Sequence, residues 1–223
     1  MRVALVYHGP QTSVRLDDAL ATVVADVERF HLESGDPVPG PGFDRAIILG
    51  GSMGAYDVGL YPWLDGEKEW IRDLVESGVP VLGLCLGSQL MAEALGGKAF
   101  RGDQPEASVV PVTLTDAGMA DPVVSQTGPL VYAMHQDTFV LPPDATLLAH
   151  SDRYPHAFRV GSGLALQFHP DADCDLALKW AKEDSHLLVG AGIDYDEYAR
   201  GLIAADPVLD RTSRAIFNAW LQT

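Results

Sequence analysis

The stretch Val79-Pro80-Val81-Leu82-Gly83-Leu84-Cys85-Leu86-Gly87-Ser88-Gln89-Leu90 decides how the chain is read. Residues 79–84 form an apolar run too short for a helix, and they read as a strand covered on both faces. Over 88–95 the pattern turns helical and is closed by Gly96-Gly97. Cys85 therefore stands at a strand-to-helix junction, with glycine two residues before it and two after. A sharp turn that thrusts one side chain forward crowds those two positions, and glycine removes the clash. The helix that follows aims its free N–H groups at Cys85 and favours the thiolate. The Leu86 N–H faces any oxyanion forming there. The alternative is a buried structural cysteine, since free cysteine is often buried.

Working outward, residues 3–7 are an apolar run ended by the turn signal His8-Gly9-Pro10. Ser13 reads as an N-cap, and Leu16, Leu20, Val23, Val24, Val27 and Phe30 recur at helical spacing, which predicts a helix over 16–30. Residues 46–49 are a second apolar run, ended by Gly50-Gly51-Ser52, and 63–76 read as a helix closed by Gly78. Strands alternating with helices predict βαβ units and a mostly parallel sheet. After residue 105 the texture changes. Residues 109–114, 130–134, 146–149, 157–160 and 164–168 read as strands, and 173–182, 195–205 and 207–221 as helices. The expected architecture is one α/β domain over 1–223. It has a central, mostly parallel sheet with helices on both faces and a smaller antiparallel portion drawn from 107–168.

Composition limits the functions on offer. The 223 residues carry 15 Lys and Arg against 31 Asp and Glu, a formal charge of −16, which repels nucleic acid and anionic membranes. A content of 47% hydrophobic and 21% charged residues excludes a disordered or fibrous chain. Two cysteines, Cys85 and Cys174, make no disulfide framework. There is no apolar run of transmembrane length, and the N-terminus lacks a signal-peptide core. A cytoplasmic, soluble protein is expected.

A nucleophilic thiol needs a base. Of the seven histidines, His169 ends the apolar run 164–168 and is followed by Pro170. Strand ends are where parallel-sheet enzymes carry their chemistry. His135, after the run 130–134, is its rival. No spacing typical of a metal site or of a phosphate loop occurs, so neither a metal nor a cofactor is expected.

Four blocks in order resemble class I glutamine amidotransferases. They are Gly50-Gly51-Ser52-Met53-Gly54, the segment 83–90, Met134-His135-Gln136-Asp137, and Gln167-Phe168-His169-Pro170. The third looks like the GMP-synthase-like branch. The resemblance covers about residues 1–180 and leaves a helical extension of about 190–223 without a motif. It implies a triad of Cys85, His169 and an acid, with Cys85 attacking the side-chain amide of glutamine. Where the family usually has Glu, two residues after the histidine, this chain has Asp171, one methylene shorter. Asp173 is a weaker substitute. The resemblance further implies an oxyanion hole from the Gly51 and Leu86 N–H groups, and substrate contacts from Gly51, Ser52, Gln89, His135 and Asp137. Tyr56, Tyr61 and Trp63 follow the oxyanion loop as a pocket wall or as packing. Cys174, beside Asp173 and Asp175, is expected to be inert.

No ATP-using segment is visible in the chain. The expected partners are therefore a glutamine or γ-glutamyl substrate and a separate synthase subunit that uses the ammonia. A stand-alone γ-glutamyl peptide hydrolase needs the same thiol chemistry. A degenerate, non-catalytic binding module is the third reading, and the presence of both Cys85 and His169 argues against it.

Overall fold

The computed structural model describes residues 1–10, 13–23 and 26–223. The elements in chain order begin β1 (Arg2–Tyr7), α1 (Val14–Ala21), β2 (Asp26–His31), β3 (Arg45–Ile48), α2 (Trp63–Glu76), β4 (Val81–Leu84), α3 (Leu86–Ala94) and β5 (Lys98–Pro111). They continue β6 (Thr113–Leu114), α4 (Asp116–Ala120), β7 (Leu130–Val140), β8 (Thr146–His150), β9 (Pro155–Val160), β10 (Gly163–Leu166), α5 (Cys174–Glu183), α6 (Ser185–Ala191) and α7 (Tyr195–Gln222). The main sheet has the order β2-β1-β3-β4-β10-β9-β8-β6. Its first five strands run parallel and the remaining pairings are antiparallel. The strands β5 and β7 form a separate antiparallel ribbon. The expected α/β class and mostly parallel sheet are present.

Alternation along the buried strands explains the helices on both faces. Val3, Leu5 and Tyr7 of β1, with Ile47, Leu82 and Leu84, pack against α1 and the end of α7 through Leu16, Leu20, Ile216, Phe217 and Trp220. Ala4, Val6, Ala46, Ile48 and Val81 face the other way, onto Leu64, Ile71 and Leu74 of α2 and Leu90 of α3. Side chains on a strand alternate between faces, so an apolar run with no polar interruption requires cover on both sides. A third cluster joins the ribbon to α5, α6 and α7 through Tyr132, Met134, Ala177, Leu188 and Tyr198.

Three expectations need correction. The helix expected over 16–30 ends at Ala21, and Asp26–His31 is a strand paired parallel with β1. Val27 and Phe30 are three apart, a spacing shared by a helix face and by opposite faces of a strand. Here Val27 packs into one core and Phe30 into the other. Val24, counted toward that helix, lies outside the described residues. Second, the antiparallel portion begins at Lys98 rather than 107. The early part of β5 is half-exposed and polar, so it carries no apolar run. Third, the helices expected at 195–205 and 207–221 form one, α7, with Pro207 inside it. Two short helices, α4 and α6, were not expected from the pattern.

Candidate active site

The carboxyl ends of β1, β3, β4 and β10 meet on one edge of the sheet, where open α/β sheets hold their ligands. Cys85 follows β4 at φ 50° and ψ −106°, the one non-glycine residue with positive φ among the described residues. A side chain in that region costs about 1–3 kcal/mol and persists only where its surroundings hold it. They do so here. The Cys85 N–H donates to the Leu166 carbonyl at 2.8 Å, and its own carbonyl accepts from the Ser88 hydroxyl at 2.6 Å. The flanking glycines are steric necessities. A Cβ on Gly83 would lie 2.5 Å from the Gly87 carbonyl oxygen, and one on Gly87 only 2.2 Å from that of Ile48.

His169 and Cys85 flank one point in space: a methyl group built on Gly50 would sit 3.0 Å from His169 Cε1 and 3.5 Å from Cys85 Cβ. The Nδ1 of His169 is 3.1 Å from Asp171 Oδ1, and both residues are buried. Burial works against a charged His169, but Cys85 and Asp171 outweigh it and raise its pKa from 6.5 to about 10. The short Asp171 reaches because its backbone is pinned. The Ser13 hydroxyl donates to the Asp171 carbonyl at 2.7 Å, Arg15 to that of Ala172 at 2.7 Å, and Ser213 of α7 to that of Pro170. The extension without a motif thus holds the His169–Asp171 segment. Asp173 is occupied elsewhere, capping α5 through the Leu176 N–H.

The cleft beside Cys85 has two lobes that share Gly51, Ser52, Cys85, Met134 and Asp184. One, of about 190 Å³, is walled by His8, Glu33, Gly50, His169 and Trp180. The other, of about 210 Å³, is walled by Tyr56, Gln89, Arg101, His135, Gln136 and Asp137. The N–H groups of Gly51 and Leu86 have no hydrogen-bond partner among the described residues. Gly51 packs so closely on Leu86 that a Cβ there would meet Leu86 Cδ2 at 2.8 Å. Gln89 donates its amide to the Asp137 carbonyl at 3.1 Å and to Gln167 at 3.3 Å. Gln167 in turn points its amide at Cys85 Sγ, 3.6 Å away. His135 and Asp137 lie inside β7, not after it. The rival His135 turns to Glu106 and to the Asp137 carbonyl. The Asp137 carboxylate accepts from the Tyr56 hydroxyl at 2.7 Å, and burial and that carboxylate push Tyr56 up to about 12.

Sequence reading missed His8 and Glu67. His8 Nδ1 is 3.0 Å from the Leu49 carbonyl and Nε2 is 2.9 Å from Glu67. Burial opposes charge on His8, yet Glu67 holds its pKa above the ordinary value. Both ring nitrogens then donate, which ties the Leu49–Gly51 turn to α2. Trp63 stacks on His8 at 5.5 Å and Tyr61 meets Trp63 at 5.8 Å with its ring tilted by 59°, so these two rings support the turn. The available signal was a histidine directly after β1, at a strand end. Cys174 is pushed up by burial and by Asp206, Asp175 and Asp173. No helix is long and apolar enough to cross a membrane among the described residues.

Residues 5–178 match the family model of class-I glutamine amidotransferase. The chain is 35% identical over 118 residues to the glutamine amidotransferase-like protein YfeJ of Salmonella typhimurium, covering 51% of this chain and 49% of that one. The aligned chain thus spans about half the length of that relative. It is 30% identical over 183 residues to a glutamine-hydrolyzing GMP synthase subunit of Sulfolobus acidocaldarius, covering 77% and 89% of the two chains. The crystal structure of a glutamine amidotransferase from Thermotoga maritima matches over 100% of this chain and 98% of that one, with TM-score 0.86 and 25% identity. The chain belongs to the class I glutamine amidotransferase family.

Proposed function

We propose that the protein hydrolyses the side-chain amide of glutamine with Cys85 as nucleophile, His169 as acid and base, and Asp171 as the residue that orients His169. The observation that carries this reading is the strained Cys85 beside an imidazole that is itself held by a buried carboxylate. The thiolate attacks the amide carbon, and the oxyanion is received by the Gly51 and Leu86 N–H groups. His169 gives its proton to the departing nitrogen, the C–N bond breaks, and ammonia leaves a γ-glutamyl thioester. Water then attacks the thioester. His169 takes the proton from that water, and glutamate and the free thiol result. Ser52, Gln89, His135 and Asp137 form the glutamine-side wall, with Tyr56 bonded to Asp137. Gln89 and His135 act through the hydrogen bonds that shape that wall.

The ammonia passes to a separate synthase in the coupled reading, which the likeness to a GMP synthase subunit favours. A second reading, γ-glutamyl peptide hydrolysis, is favoured by the lobe of about 190 Å³ on the His169 side. Ammonia needs roughly the 30 Å³ of one water, so this lobe has room for a larger leaving amine. The test is ammonia release from glutamine beside glutamate release from γ-glutamyl dipeptides, using the purified chain. Weak glutaminase activity without dipeptide turnover supports the coupled enzyme. Strong dipeptide turnover supports the hydrolase. Absence of both, with Cys85 intact, sinks the catalytic reading.

A further inference from the structure

Away from Cys85, three strands bring Glu106, His135 and His156 together, all buried. Glu106 Oε2 lies 2.7 Å from His156 Nε2 and 3.4 Å from His135 Nε2. One ligand atom from each residue falls within 4.8 Å of the others. The Ser151 hydroxyl donates to the second carboxylate oxygen at 2.7 Å.

Counting protons exposes a conflict. His135 Nδ1 is 3.0 Å from the Asp137 carbonyl, which only accepts, so Nδ1 carries hydrogen. In the neutral ring, Nε2 is then a bare lone pair. It is buried, makes no hydrogen bond among the described residues, and faces a carboxylate oxygen. Two acceptors opposed in a dry interior repel each other, so a positive centre belongs between them.

We propose that Glu106, His135 and His156 form a metal site taking one zinc-class divalent ion per chain, with solvent completing the coordination. Two imidazoles and a carboxylate are a donor set that zinc accepts. Donors at about 2.1 Å around a tetrahedral ion lie roughly 3.4 Å apart, which is the His135–Glu106 separation; the 2.7 Å contact of His156 Nε2 with Glu106 is a hydrogen bond that opens when the ion enters. The Asp137 carbonyl fixes the His135 tautomer from outside, as ligand histidines require. His156 Nδ1 has no such partner and is the weaker ligand. His135 borders the cleft, which gives the ion its way in. Bound there, it braces the 135–137 segment that holds Gln89 and Tyr56.

Cys85 and His169 also attract soft metals, so the test uses the Cys85→Ser, Cys174→Ser double variant after chelator treatment. Zinc is titrated against a chromophoric chelator, and cobalt(II) uptake is followed by absorption. The expected result is one zinc per chain, cobalt ligand-field bands of tetrahedral nitrogen–oxygen type, and a Tm raised by about 5 °C or more at a hundredfold excess over Kd. Adding His156→Gln, which keeps a hydrogen-bond donor toward Glu106, should weaken binding at least about tenfold. The proposal is overturned if the thiol-free chain takes up no stoichiometric ion, or if His156→Gln binds it equally well. If His156→Gln does not fold, the cobalt spectrum of the thiol-free chain decides: tetrahedral nitrogen–oxygen bands uphold the site, and no uptake removes it.

Discussion

Among the buried histidine–carboxylate groups of this molecule, the pair His169–Asp171 and the cluster around Glu106 differ in setting. His169 and Asp171 sit at the open edge of the sheet, beside a cysteine in a strained conformation and two N–H groups without a partner among the described residues. Glu106, His135 and His156 sit where β5, β7 and β9 come together, without a thiol or hydroxyl aimed into a cleft. Under the proposed function, the same side-chain chemistry serves reaction in one place and the joining of strands in the other. The difference lies in the backbone: at the strand end free N–H donors border the cleft, whereas the Glu106 cluster is held within strands and reaches the cleft through His135 alone.

The largest effect that separates the two groups is on turnover. Cys85→Ala should lower glutamine hydrolysis by at least about 10⁴-fold while leaving the far-UV circular dichroism unchanged. Glu106→Gln should do the reverse. It weakens the acceptor to which the His156 ring and the Ser151 hydroxyl donate and should cost about 1–3 kcal/mol in urea unfolding, while kcat of the folded enzyme stays within about tenfold. If Glu106→Gln abolishes turnover as fully as Cys85→Ala, the two groups form one functional unit and the contrast fails.

Next is the orienting acid. Asp171→Asn should lower kcat by about 10³- to 10⁴-fold, the loss coming from a His169 that is no longer held. Its effect on stability carries a pH signature. The folded pKa of His169 is raised from 6.5 to about 10. Its pairing therefore stabilises the fold fully below about pH 6.5, and this contribution is lost as pH climbs through about 10. The stability gap between wild type and Asp171→Asn should be widest near pH 6 and shrink toward pH 10 in denaturant titrations at each pH. A gap that widens with pH would contradict a charged His169 in the native state.

The unequal legibility of the two groups follows from chain order. Cys85 was readable because the steric demand of the elbow writes glycine at 83 and 87, and His169 and Asp171 are two residues apart. Glu106, His135 and His156 come from three separate strands, and only the ribbon register, with its irregularity between Arg101 and Glu106, brings the first two face to face. No local spacing announces that. The parallel strands were legible because they are apolar throughout. The edge strand β2 and the start of β5 were not, because half-exposed strands mix polar and apolar residues without a clean period. Likewise, the contribution of Ser213 to the His169–Asp171 segment depends on where α7 packs.

A third expectation concerns the two thiols. Cys85 faces His169 and the start of α3, whereas Cys174 lies among Asp206, Asp175 and Asp173, which with burial raise its pKa. Iodoacetamide near pH 6.5 should modify Cys85 at least about tenfold faster, as read by peptide mass spectrometry. Equal labelling of both residues would mean that the elbow confers no special reactivity.

The smallest effect is the most direct reading of stored strain. Cys85 at φ 50° and ψ −106° costs about 1–3 kcal/mol for any residue bearing a Cβ. Alanine keeps that cost, whereas glycine removes it. Against this, glycine widens the unfolded ensemble by about 0.4–1 kcal/mol. The balance makes Cys85→Gly more stable than Cys85→Ala by about 1 kcal/mol. In β5, beside Glu106, the backbone is ordinary strand, since Cys85 alone among the described non-glycine residues has positive φ. There Ala107→Gly should be destabilising by about 1 kcal/mol, so the sign of the alanine–glycine exchange reverses between the two regions. Guanidinium unfolding of the three variants beside wild type measures both signs. If glycine at 85 proves no more stable than alanine, the elbow is not strained, and the turn rests on its hydrogen bonds to Leu166 and Ser88 alone.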